Sequence, residues 1–316
     1  MRAGIASVVQ RASLKYAGPA ARTRAAPGRR AGTDRRVLRG GHARQPGRRL
    51  GLAPPPRRCA GAVLPPLLAV SSALPADPGT AGGVPLLALQ PPPLRGWART
   101  QAWLVDRIKA AALRQLHASV AGECLLLRMY LVGEEATELA LQREVPVQRP
   151  AWLVPLMDQH LQEEQWHAQA FAAALAARGA ARPSAQPDAL SRRKIAQWHR
   201  LATHHAGEFR QGLLVPAFAI GLCAEQMASR VLQRHCGVLP AGHALQPLLT
   251  RVLGDEQRHV QQCQRILQRL VPADEQAALQ ALLAKVRRID RAFGISGAFG
   301  MYAAGAVLRV RAYLWR

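Results

Sequence analysis

"LQEEQWHAQAF", residues 161–171, sets Glu164 and His167 three positions apart in a stretch whose apolar residues Trp166, Phe171 and Leu175 recur at helical spacing. On a helix that spacing puts a carboxylate and an imidazole on one face, where both can reach a single ion. With 11 Glu and 10 His among 316 residues, chance predicts fewer than one Glu-x-x-His pair. Two occur: the second is Glu256/His259 in "DEQRH", residues 255–259, flanked by Val252, Val260, Cys263 and Leu267.

Each pair has a partner upstream. Glu134 lies 30 residues before Glu164, and Glu225 lies 31 before Glu256, each on the preceding helix of an expected antiparallel hairpin. The flanks read alike, since Gln142 and Arg143 follow Glu134 at the distances at which Gln233 and Arg234 follow Glu225. The chain therefore reads as an internal duplication of a Glu hairpin Glu-x-x-His unit. Glu135 and Glu138 compete with Glu134 for the first position, Glu138 lying one turn further along the same face, and the duplicated flank favours Glu134.

Together Glu134, Glu164, His167, Glu225, Glu256 and His259 form the donor set of a di-iron or di-manganese carboxylate bundle. Their four carboxylates offer hard oxygen donors and matching charge to two divalent cations. A metal-bound histidine passes its other ring proton to an acceptor, and Glu163 and Asp255, which precede the two motif glutamates, are candidates for that task. Tyr130, one turn before Glu134, reads as a packing residue bordering the metals.

These residues resemble the ferritin-like di-iron carboxylate superfamily, with the motifs covering Glu134 to His259. The resemblance implies a four-helix bundle in which Glu134 and Glu225 are terminal ligands, Glu164 and Glu256 bridge, and His167 and His259 complete one metal each. It also implies an oxidoreductase of the hydroxylase or monooxygenase type, with Glu164 and Glu256 at the catalytic centre and two Fe ions as cofactor, Mn being the alternative. Such an enzyme takes a small organic substrate, O2 and an external electron donor. No Gly-x-Gly-x-x-Gly fingerprint supplies a flavin or nicotinamide domain. "GEEATELALQ" followed by "EEQWH" is also similar to the demethoxyubiquinone hydroxylase pattern, and the tRNA hydroxylase branch is a further possibility that a basic surface suits. The other readings are a ferroxidase or iron-binding ferritin-like protein, and a basic nucleic-acid-binding protein on a metal-free bundle.

The rest of the chain is divided by composition. Of the formal net charge of +24, +15 falls in residues 1–100, which hold 14 of the 23 prolines and no Glu. So much Pro, Gly and Arg cannot bury enough apolar surface to offset the entropy of ordering, and residues 1–95 read as a disordered tail. That tail has three readings: a transit peptide, a basic arm for nucleic acid or anionic lipid, or an over-extended translation start. Its apolar run "VLPPLLAVSSALP", residues 63–75, is too short and too proline-broken to be a secretory signal or a span. Five scattered cysteines without a C-x-x-C read as reduced thiols of a cytoplasmic protein.

From Trp97 the texture is all-α. The spacing predicts helices over 97–117, 119–144, 150–178, 208–236 and 243–270, another starting near Asp274 or Glu275, and a short one after Asp188 within a long crossover. Pro150 should lie in a first turn, Gly179 should stop the third helix, and Pro216 should kink the next long one. The bundle is expected over 96–292, with a separate apolar helix over 293–316. Its uncharged stretch "FGISGAFGMYAAGAVL" falls short of a bilayer span and reads as a buried helix, an oligomer contact or a peripheral membrane contact.

Overall fold

A computed structural model describes residues 89–143, 149–181 and 189–314. Among the described residues there are seven α-helices and no strand. They are α1 (Gly96–His117), α2 (Val120–Arg143), α3 (Val154–Ala176), α4 (Ala189–His205), α5 (Leu214–Val238), α6 (Gln246–Leu270) and α7 (Gln276–Leu314). The expected tail lies outside the described residues except for its last few. There the expectation fails, because Leu89 is wholly buried and its carbonyl accepts from Gln226 Nε2 at 3.3 Å and Arg287 Nη2 at 2.9 Å.

α2 and α3 form an antiparallel pair. Glu123 meets Arg178, Tyr130 stacks on Phe171, Glu134 meets His167 and Glu138 meets Gln165, so the residue number rises on one helix as it falls on the other. α5 and α6 pair in the same sense, with Gly221 against Cys263 and Cys236 against Thr250. The two pairs meet through α3 and α6, and one apolar cluster draws Leu127 and Leu131 from α2, Phe171 and Leu175 from α3, Leu232 from α5, and Leu249 and Val252 from α6. Each fully buried leucine there contributes about 1.5–3 kcal/mol of apolar transfer energy. α1 and α7 pack on each other outside these pairs, and α4 lies against α5 and α7.

Helix ends differ from the sequence expectation where proline and glycine act. After Pro150 comes a 3₁₀ turn (Ala151–Leu153), and the α-helix opens with Pro155 in its first turn. Gly179 adopts a left-handed φ of 71° while Ala180 N–H returns to the Leu175 carbonyl at 3.2 Å, which stops α3 as expected. Pro216 makes no kink: α5 starts at Leu214, so the proline falls in the first turn, where its missing N–H leaves no hydrogen bond unmade. No break separates a bundle ending at 292 from a C-terminal helix, because α7 runs unbroken for 39 residues. By length and composition alone this 39-residue helix is apolar enough to cross a membrane. Cys124, Cys223, Cys236 and Cys263 are free thiols.

Candidate metal centre

α2 contributes Glu134, α3 Glu164 and His167, α5 Glu225, and α6 Glu256 and His259; all six side chains are buried. They are buried because they continue an apolar stripe. Phe171 lies seven residues after Glu164 and Val252 four before Glu256, on the same helix faces, and both are fully covered.

The donor atoms gather into two groups that share one residue. Glu134, Glu164, His167 and Glu256 form one, and His160, Glu164, Glu225 and His259 form the other; within each, one donor atom per residue lies within 4.8 Å of the rest. Glu164 reaches both imidazoles, with Oε1 at 3.2 Å from His259 Nδ1 and Oε2 at 4.0 Å from His167 Nδ1. Glu256 does the same, with Oε1 at 3.7 Å from His167 Nδ1 and Oε2 at 3.9 Å from His259 Nδ1. Glu134 Oε2 lies 3.7 Å from His167 Nδ1. Glu138 stands apart, accepting from the amides of Gln142 and Gln165 at 3.0 and 3.2 Å. Glu135 belongs to neither group.

The far ring nitrogens are crossed between the hairpins. His167 Nε2 lies 3.1 Å from Asp255 Oδ2 on α6, and His259 Nε2 lies 2.7 Å from Glu163 Oε2 on α3. A carboxylate there accepts the Nε2 proton, so it is Nδ1 of each ring that faces the other donors. Arg258 joins the two acceptors, contacting Asp255 Oδ1 and, at 3.3 Å, Glu163 Oε1. Gln159 Nε2 also donates to Glu163, at 3.3 Å.

His160 was not legible as a donor in the sequence. It is 3% exposed, and its Nε2 lies 3.1 Å from Glu164 Oε1 and 3.5 Å from Glu225 Oε1. Its ring centroid is 3.8 Å from that of His259. The available signal was its place one turn before Glu164 and two turns before His167, on one face of α3.

The protein alone does not satisfy this cluster. Glu164 Oε2, His167 Nδ1, Glu256 Oε2 and His259 Nδ1 are buried without a hydrogen-bond partner, which ordinarily costs about 1–3 kcal/mol per group. The titration behaviour reflects the crowding of like charge. Burial, then the charge of Glu164, raises the Glu134 carboxyl to about 8. Burial and the neighbouring Glu225 hold Glu256 well above the usual carboxylate range. Against burial, which opposes the charge, contacts with Glu164 and Glu225 raise His160 to about 10, and contacts with Asp255 and Glu134 raise His167 to about 10. Against its own burial, Glu163 is lowered to about 2 by His259. Four buried glutamates, two of them with an unpartnered oxygen, together with the Nδ1 atoms of His167 and His259, suit two divalent cations in charge and in donor type.

No family model, curated protein or solved structure matches the chain.

Proposed function

We propose that this chain is a ferritin-like di-iron carboxylate protein, an O2-activating oxidoreductase of the hydroxylase or monooxygenase type. The observation that carries the reading is the disposition of Glu164 and Glu256, each with one oxygen toward each of two imidazoles, as bridging carboxylates require. Two iron ions bound there would supply reduction of O2 and oxidation of an organic substrate, with electrons from an external donor.

The chain's own groups would do the following. Glu164 and Glu256 span the two positions, while Glu134 with His167 and Glu225 with His259 and His160 close one side each. Asp255 and Glu163 fix the imidazole tautomers from the opposite hairpin, and Arg258 offsets the charge of these outer carboxylates. The covered side chains of Leu131, Phe171 and Val252 on the same helices limit water, which keeps a reactive centre from side reactions.

The substrate would be small, organic and apolar, delivered at a membrane surface. Trp97 and Trp103 on α1 and Phe299, Val307 and Tyr313 on α7 are exposed, on two helices that pack together. Arg-containing apolar helices of this kind sit at lipid interfaces.

Anaerobic loading of the full chain with ferrous iron should give two irons per chain, and mixing with O2 should change the absorption spectrum. A folded protein that takes up no iron, or whose ferrous form is indifferent to O2, overturns the proposal.

A further inference from the structure

A second group of titratable side chains lies at the end of the molecule where α1 passes into α2 and α5 passes into α6. His117 is the last residue of α1, Glu123 lies in the first turn of α2, His235 lies in the last turn of α5, and His243 lies in the α5–α6 connection. Donor atoms of His117, Glu123 and His243 lie within 4.8 Å of one another. Glu123 Oε1 is 3.2 Å from His117 Nδ1 and 2.9 Å from His243 Nε2. The three side chains are 9%, 13% and 18% exposed, so they are shielded yet reachable from solvent.

Behind them the polar groups are ordered outward from one point. His117 Nε2 faces His235 Nε2, and the other nitrogen of His235, Nδ1, lies 2.8 Å from the Tyr130 hydroxyl. The second oxygen of Glu123 accepts from Arg178 Nε at 2.7 Å. One tautomer assignment satisfies this chain while leaving His117 Nδ1 free to bind a cation: His117 Nε2–H donates to His235 Nε2, and His235 Nδ1–H donates to the tyrosine oxygen. At His243, whose Nδ1 accepts from the Leu245 N–H at 3.2 Å, ligation through Nε2 moves the ring proton to Nδ1 and gives up that contact. A metal-bound histidine held from behind by a buried acceptor has this arrangement.

We propose that His117 Nδ1, Glu123 Oε1 and His243 Nε2 form a second metal site, separate from the centre between the hairpins, for a zinc-class divalent ion. Two imidazoles and one carboxylate are a zinc donor set that leaves a fourth position for water. His235 is the positioning residue, since it touches His117 and not the ion. The three donors come from α1, α2 and the α5–α6 connection, so an ion there would tie the outer helix to both hairpins at one end. It would also fix His235 against Tyr130, which lies one turn from Glu134.

The test uses the full chain, with zinc, and with cobalt as its spectroscopic stand-in. Wild type should hold one more ion than the hairpin centre accounts for, and Glu164→Ala/Glu256→Ala should retain that one ion with the absorption of four-coordinate cobalt. His243→Ala, at a connection residue, should lose it while helicity by circular dichroism is unchanged. His243→Cys should keep it and add thiolate-to-cobalt absorption. His235→Ala should weaken zinc about 10–100-fold without changing the stoichiometry at saturation. If the hairpin centre binds nothing but the site at the helix ends is real, wild type holds a single ion that His243→Ala removes. Zinc or cobalt uptake that His243→Ala leaves unaltered, or a folded Glu164→Ala/Glu256→Ala protein that takes up neither metal, overturns the proposal. Glu123 would then be only a carboxylate shared by two imidazoles and an arginine.

Discussion

The α2–α3 and α5–α6 hairpins carry the same three donor types at nearly the same spacing, yet they are not equivalent. One turn before Glu164 stands His160, which reaches across to Glu225; one turn before Glu256 stands Val252, fully buried in the apolar cluster with Leu249 and Leu127. The residue before each motif histidine differs as well. Trp166 lies under Arg251, whose guanidinium is 3.6 Å from the ring centre, whereas Arg258 binds Asp255 and Glu163. The two donor groups are thus unequal, one with two imidazoles and the other with one.

The largest expected effect breaks both halves at once. Glu164 belongs to both donor groups, so Glu164→Ala should abolish uptake of both ions, while Glu134→Ala or Glu225→Ala should each impair mainly the nearer one. Iron counting by metal analysis checks this, and equal partial losses for all three would show that Glu164 is not shared. His160→Val makes the first hairpin like the second. It strips a buried partner from Glu164 and Glu225 and should lower the stability of the metal-free protein by about 3 kcal/mol in denaturant melts.

The crossed acceptors provide a paired comparison. Glu163→Gln and Asp255→Asn should each lower metal affinity about 10–100-fold, the first through His259 and the second through His167. Competition with a chelator measures both, and wild-type affinity in either variant breaks the outer-carboxylate account. In the opposite direction, Val252→His places a polar ring in a covered apolar site and should cost about 1–3 kcal/mol in a thermal or denaturant melt.

A pH effect is expected in the metal-free protein, with His160, His167 and Glu134 of the first hairpin among its sources. His160 and His167 are raised from 6.5 to about 10, so their contribution is full below pH 6.5 and is lost as pH rises through about 10. Glu134, raised from 4.5 to about 8, stays protonated in the folded state and adds a loss of the same sign as pH rises toward 8. Denaturant melts of metal-free protein should therefore show declining stability toward alkaline pH, with a shallower decline in His160→Val. A flat profile in wild type would contradict it.

The helical class and the six duplicated donors were legible because each rests on local periodicity and an echo: "EEQWH" and "DEQRH" identify each other. His160 was not, since its counterpart in the other hairpin is valine and a lone histidine has no echo. The cluster of His117, Glu123, His235 and His243 was invisible for a different reason. Its members come from the ends of four segments, and no spacing along the chain encodes how those ends meet. Pro216 misled because a proline marks a kink or a first turn equally well, and the turn at Gly212, with its φ of 55°, decides for the latter. The length of α7 was hidden by its composition, as the charged residues of Lys285–Arg291 and the uncharged run after them suggested two elements where one helix continues.

The crossing of the outer carboxylates also bears on assembly. Because Asp255 orients the imidazole of the α3 motif and Glu163 that of the α6 motif, neither hairpin can finish its own half of the centre. A partly folded chain with only one hairpin formed would offer glutamates but no oriented histidine, and would hold metal poorly. High-affinity loading would then act as a checkpoint that passes only chains whose two halves have docked in register.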